Sequence, residues 1–210
     1  MKASDIWFRL VAEKKRMVST GELRLLCREI GKPYNQTANY LQRRSYVVRV
    51  VRGWFYVKSP EEVKLKVLKE NTLGLIAEAL EKKGVKKWFF ALESALKLNN
   101  MTHEYFTVGQ VVTDTYKTPR PIWVVDGRYT FLRWNMTLHG FGIIKNGKIR
   151  YSNPEKTVLD LCYRRHNLKM DPNSVREIFE EYKAQLNRKK VLEYLKHYPK
   201  RMSKILEGVV

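Results

Sequence analysis

The residues with the most evident chemistry lie between positions 32 and 53. Asn35, Gln36, Thr37, Asn39, Tyr40, Arg43 and Arg44 follow one another on a short helical pattern anchored by Ala38 and Leu41. Amide forks and guanidinium groups at helical spacing suit the donor–acceptor pairs on base edges in a DNA major groove. Gln36 and Asn39 match adenine, while Arg43 and Arg44 match guanine edges or phosphate. Lys32 and Tyr34, in the turn just before, are phosphate candidates. Arg49 and Arg52 follow on a valine-rich ribbon that turns at Gly53, so Arg49 can track a phosphate strand and Arg52 can reach the minor groove from the tip. Trp54 could stack on a sugar, but at the base of a hairpin it more naturally pins the ribbon to the core, as does Tyr56.

Catalytic chemistry is much harder to find. The four histidines, at 103, 139, 166 and 197, have no metal-ligand spacing. No glycine-rich phosphate loop, nucleophile elbow or paired-cysteine motif occurs, and Cys27 and Cys162 each sit inside an apolar helical pattern, as buried thiols in a reducing compartment would. Asp114, Asp126, Glu155 and Lys156 could compose a loosely spaced metal-dependent nuclease site. Glu155 and Asp160, however, are explained by helix capping and a helical surface. The reading is therefore a non-enzymatic protein without cofactor or metal, with a DNA-targeted nuclease or a non-catalytic plasmid-maintenance factor as alternatives.

The elements needed to position these residues are legible. An opening helix over 3–15 puts Ile6, Trp7, Leu10 and Val11 on one face. A second helix carries a capping box, Ser19 with Glu22, and ends at Gly31. The polar helix from Asn35 to Tyr46 comes next, then the ribbon Val47–Val57. This order predicts a winged helix-turn-helix over 1–59, with a boundary near 59 where Ser59-Pro60-Glu61-Glu62 opens a connecting helix. A mixed α/β domain is expected over 60–210, giving an α+β fold class. Within it, a helix runs through Leu75, Ile76, Ala79 and Leu80 to Gly84, with Asn71 or Thr72 as its cap. Residues 104–151 are β-rich, with hairpin signals at Asp126-Gly127 and Asn146-Gly147. Ser152 to Glu155 has capping-box spacing for a helix that buries Val158, Leu159, Leu161 and Cys162, and Asp171-Pro172 opens another. Two short helices flank Pro199.

The 210-residue chain carries 41 Lys and Arg against 21 Asp and Glu, a formal charge of +20 that favours a polyanionic partner. Residues 1–60 hold 13 basic and 4 acidic side chains, and residues 61–210 hold 28 and 17. The first segment is about twice as basic per residue, in agreement with the motif, and the remainder reads as a solubilising surface. With no membrane-length apolar stretch and no signal core, a cytoplasmic location is expected.

From Trp88 onward the chain resembles a known family. Trp88-Phe89-Phe90-Ala91-Leu92-Glu93-Ser94-Ala95-Leu96, a β-rich middle, and Ser152-Asn153-Pro154-Glu155-Lys156-Thr157-Val158-Leu159-Asp160-Leu161 are similar to the AbiEi antitoxins, the regulator halves of type IV toxin–antitoxin (abortive infection) operons. The latter motif departs from the family pattern by Asn153 after Ser152 and by Lys156 in an arginine position. The resemblance covers about residues 5–165. It implies an N-terminal winged helix-turn-helix that represses its own promoter at inverted repeats, as monomers side by side or as a dimer. It also implies a C-terminal antitoxin domain that counters a nucleotidyltransferase-like toxin without requiring stable contact with it.

Overall fold

The computed structural model describes residues 2–210, and these form two compact units. The first contains the residues up to Gly84 together with Trp123–Gly127, and the second holds 85–122 and 128–210. The chain is mixed α and β.

The first unit opens with α1 (Ala3–Ala12), β1 (Met17–Ser19), α2 (Thr20–Glu29) and α3 (Tyr34–Arg43). A ribbon of β2 (Val47–Val51) and β3 (Trp54–Val57) follows. α2 begins with the expected reciprocal cap, in which Ser19 Oγ accepts from the Glu22 N–H and the Glu22 carboxylate from the Ser19 N–H. The strands form an antiparallel sheet in the order β1-β3-β2. A bulge between Arg49 and Val51 lets consecutive valines, Val50 and Val51, both face inward while Arg49 stays in solvent. The three helices and the sheet enclose a core of Ile6, Trp7, Leu10, Leu23, Leu26, Leu41 and Phe55. Trp7 stacks on Tyr46 at 4.3 Å and donates its indole N–H to the Lys58 carbonyl, tying α1 to the segment after α3 and to the end of the sheet.

The expected boundary at 59 does not coincide with the division into units, which falls at Gly84. The reason is burial. After α4 (Pro60–Leu65), capped by Ser59, α5 (Thr72–Lys82) packs against β2 and β3, and its Leu75, Ile76, Ala79 and Leu80 are completely buried. Asn71 is the α5 cap. Glu62 joins these elements. It is 1% exposed and accepts from the Ser59 and Lys69 N–H groups and the Tyr56 hydroxyl.

The second unit is organised by β4 (Trp88–Phe90), α6 (Leu92–Leu98), β5 (Val108–Thr113), β7 (Gly127–Arg133), β8 (Ile143–Asn146) and β9 (Ile149–Ser152). With β6 (Ile122–Val124), the strands follow the order β6-β7-β5-β4-β9-β8. β4 runs antiparallel to β5 and parallel to β9, so the fully buried Phe89 and Phe90 lie mid-sheet. The turns sit one residue off their dipeptide signals: Gly147-Lys148 closes β8–β9, and Val125-Asp126 closes β6–β7 with Val125 at φ +57. Strand geometry starts only at Val108, leaving Tyr105–Thr107 outside the sheet. α7 (Pro154–Asn167) is the central helix and packs against α6, α8 (Pro172–Tyr182) and α9 (Arg188–Leu195). α10 (Lys200–Leu206) completes the unit.

Candidate functional site

The helical phase of α3, uncertain by one residue from sequence, is fixed by what it buries. Thr37, Ala38 and Leu41 are 3%, 5% and 0% exposed and face the core. Thr37 is therefore removed from the set of groove-facing candidates. It packs inward beside the Cys27 thiol, whose ionisation burial opposes. Two polar stripes remain, Asn35-Asn39-Gln42 and Gln36-Tyr40-Arg43, each at i, i+4, i+7 spacing.

The first stripe lines an open groove of about 450 Å³ between α3 and the β2–β3 ribbon. Of the expected residues, the groove gathers Tyr34, Asn35, Asn39, Arg49 and Arg52. Gln42, part of the polar helical pattern, also lines it, as do Thr20 and Arg24, which were not singled out from sequence. Arg24, on α2, lies over the Tyr34 ring at 5.1 Å, which aims its guanidinium along the start of α3. Gln42 donates to the Ala38 carbonyl at 3.2 Å. At the ribbon tip Gly53 has φ +93, a conformation that favours glycine, and its carbonyl accepts from the Thr20 N–H. The Lys83 ammonium donates to the Arg52 carbonyl at 3.1 Å, and burial together with the Arg52 charge lowers its pKa. Lys32, Gln36, Arg43 and Arg44 are exposed but outside the groove lining, and half-buried Tyr40 lies beneath the Arg44 guanidinium at 5.9 Å. Trp54 is half-buried and pairs with Val51 next to the ribbon tip, not at a hairpin base, and Tyr56 is in the core.

No carboxylate lines this groove. From Ile30 to Pro60 the chain contains no acidic residue, but it has six basic ones. Elsewhere in the unit several cations are paired: Arg9 bridges Glu13 and Glu29, Lys15 meets Glu22, and Arg16 meets Glu70 and Glu78. Among the described residues, Arg24, Lys32, Arg43, Arg44 and Arg49 enter no ion pair. α3 also starts at Pro33 with no side-chain cap, leaving its first N–H groups to solvent or to a ligand. A concave face of guanidinium, carboxamide and open helix N–H groups can donate hydrogen bonds to an anionic ligand rich in acceptors.

No family model matches the chain, and no curated protein matches it. Its fold has a counterpart. The crystal structure of RV2827C protein from Mycobacterium tuberculosis superposes with a TM-score of 0.54 at 13% identity, covering 98% of this chain and 76% of that one. At that identity the likeness concerns the fold alone.

The motif 152–161 is built differently from expectation. The cap is Asn153, whose Oδ1 accepts from the Lys156 N–H, while Ser152 instead bonds Thr157. Asp160 is not on a helical surface. It and Lys156 are both 0% exposed and meet at 3.1 Å, and Tyr198 donates to Asp160 at 2.6 Å. The rings of Phe141 and Phe89 approach the ammonium at 4.4 and 4.8 Å. Burial pushes the Asp160 carboxyl up and the Lys156 ammonium down. His139, packed edge-on against Phe89, is held below its usual pKa by burial and by the Lys156 charge.

The carboxylates considered for a nuclease each have a local partner. Asp126 accepts from the Thr72 hydroxyl, Asp114 from the Lys87 N–H and Glu155 from the Asn187 N–H. Among the described residues, no three of His, Cys, Asp or Glu gather as a metal site, and no helix is long and apolar enough to cross a membrane.

Proposed function

We propose that the first unit is a winged helix-turn-helix, with α3 as recognition helix and β2–β3 as wing, and that the protein is a sequence-specific DNA-binding repressor. The observation that carries this reading is the carboxylate-free groove between α3 and the ribbon, which brings arginine and asparagine side chains from three elements onto one face. In the proposed complex, Asn35 and Asn39 read base edges, Arg24, Lys32 and Arg49 hold phosphates, and Arg52 enters the minor groove. The antitoxin role, within a type IV toxin–antitoxin operon of the AbiEi kind, is supported by the resemblance of residues 88–96 and 152–161. The expected partners are promoter inverted repeats and a nucleotidyltransferase-like toxin.

Footprinting on DNA upstream of the gene, at two salt concentrations, tests the first part. An inverted repeat protected at both is expected, and equal competition by promoter and random duplex refutes sequence-specific repression. Co-expression with a neighbouring nucleotidyltransferase-like toxin tests the second. Relief of growth arrest is expected, and persistent arrest refutes the antitoxin role.

A further inference from the structure

The end of the second unit carries a groove that the DNA reading does not use. α9 and α10, joined through Pro199, are anchored in the core by Val191, Leu195, Met202 and Leu206. Over this anchorage, Leu192, Leu195, Leu206 and Val210 line an open groove of about 550 Å³. Leu192 is 48% exposed there, an apolar side chain left in water. Lys196, Lys200 and Lys204 stand along the same groove, all exposed, and among the described residues none enters an ion pair. Glu207 is the one carboxylate of the lining, and residues 188–207 hold seven basic side chains against two acidic ones.

We propose that this groove docks an acidic amphipathic helix of a partner protein. The occupant follows from two demands made by one surface. Exposed Leu192 and half-buried Val210, over the buried Leu195 and Leu206, ask for apolar side chains on one helical face, as in other helix-in-groove contacts. The lysines repeat every four residues, so on α10 Lys200 and Lys204 lie one turn apart, matching carboxylates at i, i+4 on an adjacent helix. A nucleic-acid backbone would satisfy the lysines and leave Leu192 in water, whereas an acidic amphipathic helix covers both. The inference does not rest on the DNA reading, because it uses only residues of the second unit.

The test is a displayed library of helical peptides with leucines fixed on one face and the flanking positions randomised over Glu, Lys and Ser. The full chain is the target and Leu192→Asp the counter-target. Selected flanks should be dominated by Glu. A synthetic copy of the enriched peptide should bind about tenfold or more weakly to Leu192→Asp, and likewise to Lys200→Glu/Lys204→Glu, as for loss of an interface anchor. Hydrogen-exchange protection should be confined to 192–210. Since all three substituted side chains lie on the exposed face, unchanged circular dichroism is the folding control. Flanks without acidic enrichment, binding indifferent to Leu192→Asp, or protection of 192–210 by a DNA duplex or phosphatidylserine vesicles in place of the peptide would overturn the proposal.

Discussion

Replacing Lys156 with methionine keeps an unbranched chain among the rings of Phe89 and Phe141 but deletes the charge opposite Asp160. At 3.1 Å the Coulomb attraction of the pair is about 5 kcal/mol for an effective dielectric near 20. Loss of one member of a buried pair costs ~3–5 kcal/mol, because the survivor stays charged without compensation. Asp160 would keep the Tyr198 hydroxyl at 2.6 Å, while its second oxygen has no protein partner. The carboxyl escapes this cost by binding a proton. In the variant its folded pKa rises further above the ordinary carboxylate value, which burial already does in the native protein. A group raised in this way favours folding below its unfolded pKa and loses that advantage as pH rises. Lys156→Met should therefore lie close to wild type near pH 4 and fall short by several kcal/mol at pH 7. Adding Asp160→Asn should restore most of the difference at pH 7. Hydrogen exchange of peptides from α7, at both pH values, reads the loss in the unit concerned, with thermal circular dichroism alongside. A loss below ~1 kcal/mol at pH 7, a loss independent of pH, or a double variant no better than the single one would refute the reasoning.

Three other perturbations test separate parts of the structure. On the proposed DNA reading, Arg49→Ala should weaken promoter and random duplex alike and lower the log–log salt slope by about 1, whereas Asn39→Ala should cost about 1–3 kcal/mol on the operator alone. Filter binding across a salt series separates the two, and identical behaviour of both variants would remove the assignment. Tyr56→Phe deletes the hydroxyl donor to buried Glu62, whose ionisation burial opposes but the Lys69 and Ser59 N–H groups and Tyr56 promote, holding its pKa below the usual value. Stability from a depressed carboxylate is present above the unfolded pKa and lost as pH falls through the folded one, so the variant should lose ~1–3 kcal/mol at pH 7 and begin acid unfolding at higher pH, as read by urea titration. Finally, the Cys162 thiol is buried, donates to the Val175 carbonyl at 3.6 Å, and is pushed up to about 12 by desolvation. Colorimetric thiol titration at pH 8 should find it unreactive until urea unfolds the second unit, and rapid native labelling of Cys162 would contradict that burial.

Local signals were the ones most legible in the sequence. Ser19 with Glu22 and the Asp171-Pro172 start could be read as helix openings because a cap is decided within four residues. The groove was half legible: residue types on α3 and the ribbon indicated donors, but Thr37 differs from Asn39 only in phase, and phase is decided by what Leu41 and Ala38 bury. Arg24 was missed because it lies one helix earlier, although the thirty-one residues without a carboxylate, 30–60, were a signal available to find the face. The boundary near 59 failed for a related reason. An amphipathic helix such as α5 declares that it needs a partner without saying which, and β2 and β3 supply it. Asp160 read as part of a helical surface, and Lys156 as a member of a loosely spaced nuclease set. Their burial follows from the packing around α7, in which all residues from 155 to 162 are buried.

The two cation-rich grooves can be distinguished by what accompanies the charge. A basic surface kept only for solubility gains from interspersed carboxylates, and α1 and its surroundings follow that rule, with Arg9, Lys15 and Arg16 all bridged. The face of α3 and the ribbon departs from it, combining cations with carboxamides, an uncapped helix start and little apolar lining beyond Ala38 and Phe55. On the proposed DNA reading, those groups would donate hydrogen bonds to an acceptor-rich polymer. The groove of α9 and α10 departs in another way, combining its lysines with leucine and valine. Ionic strength separates these cases experimentally. Attraction at the first face should decay steeply with salt because counterions are released from the polymer. At the second, an apolar floor keeps its contribution when the lysines are screened, so binding there should fall to a plateau set by Leu192 and its neighbours.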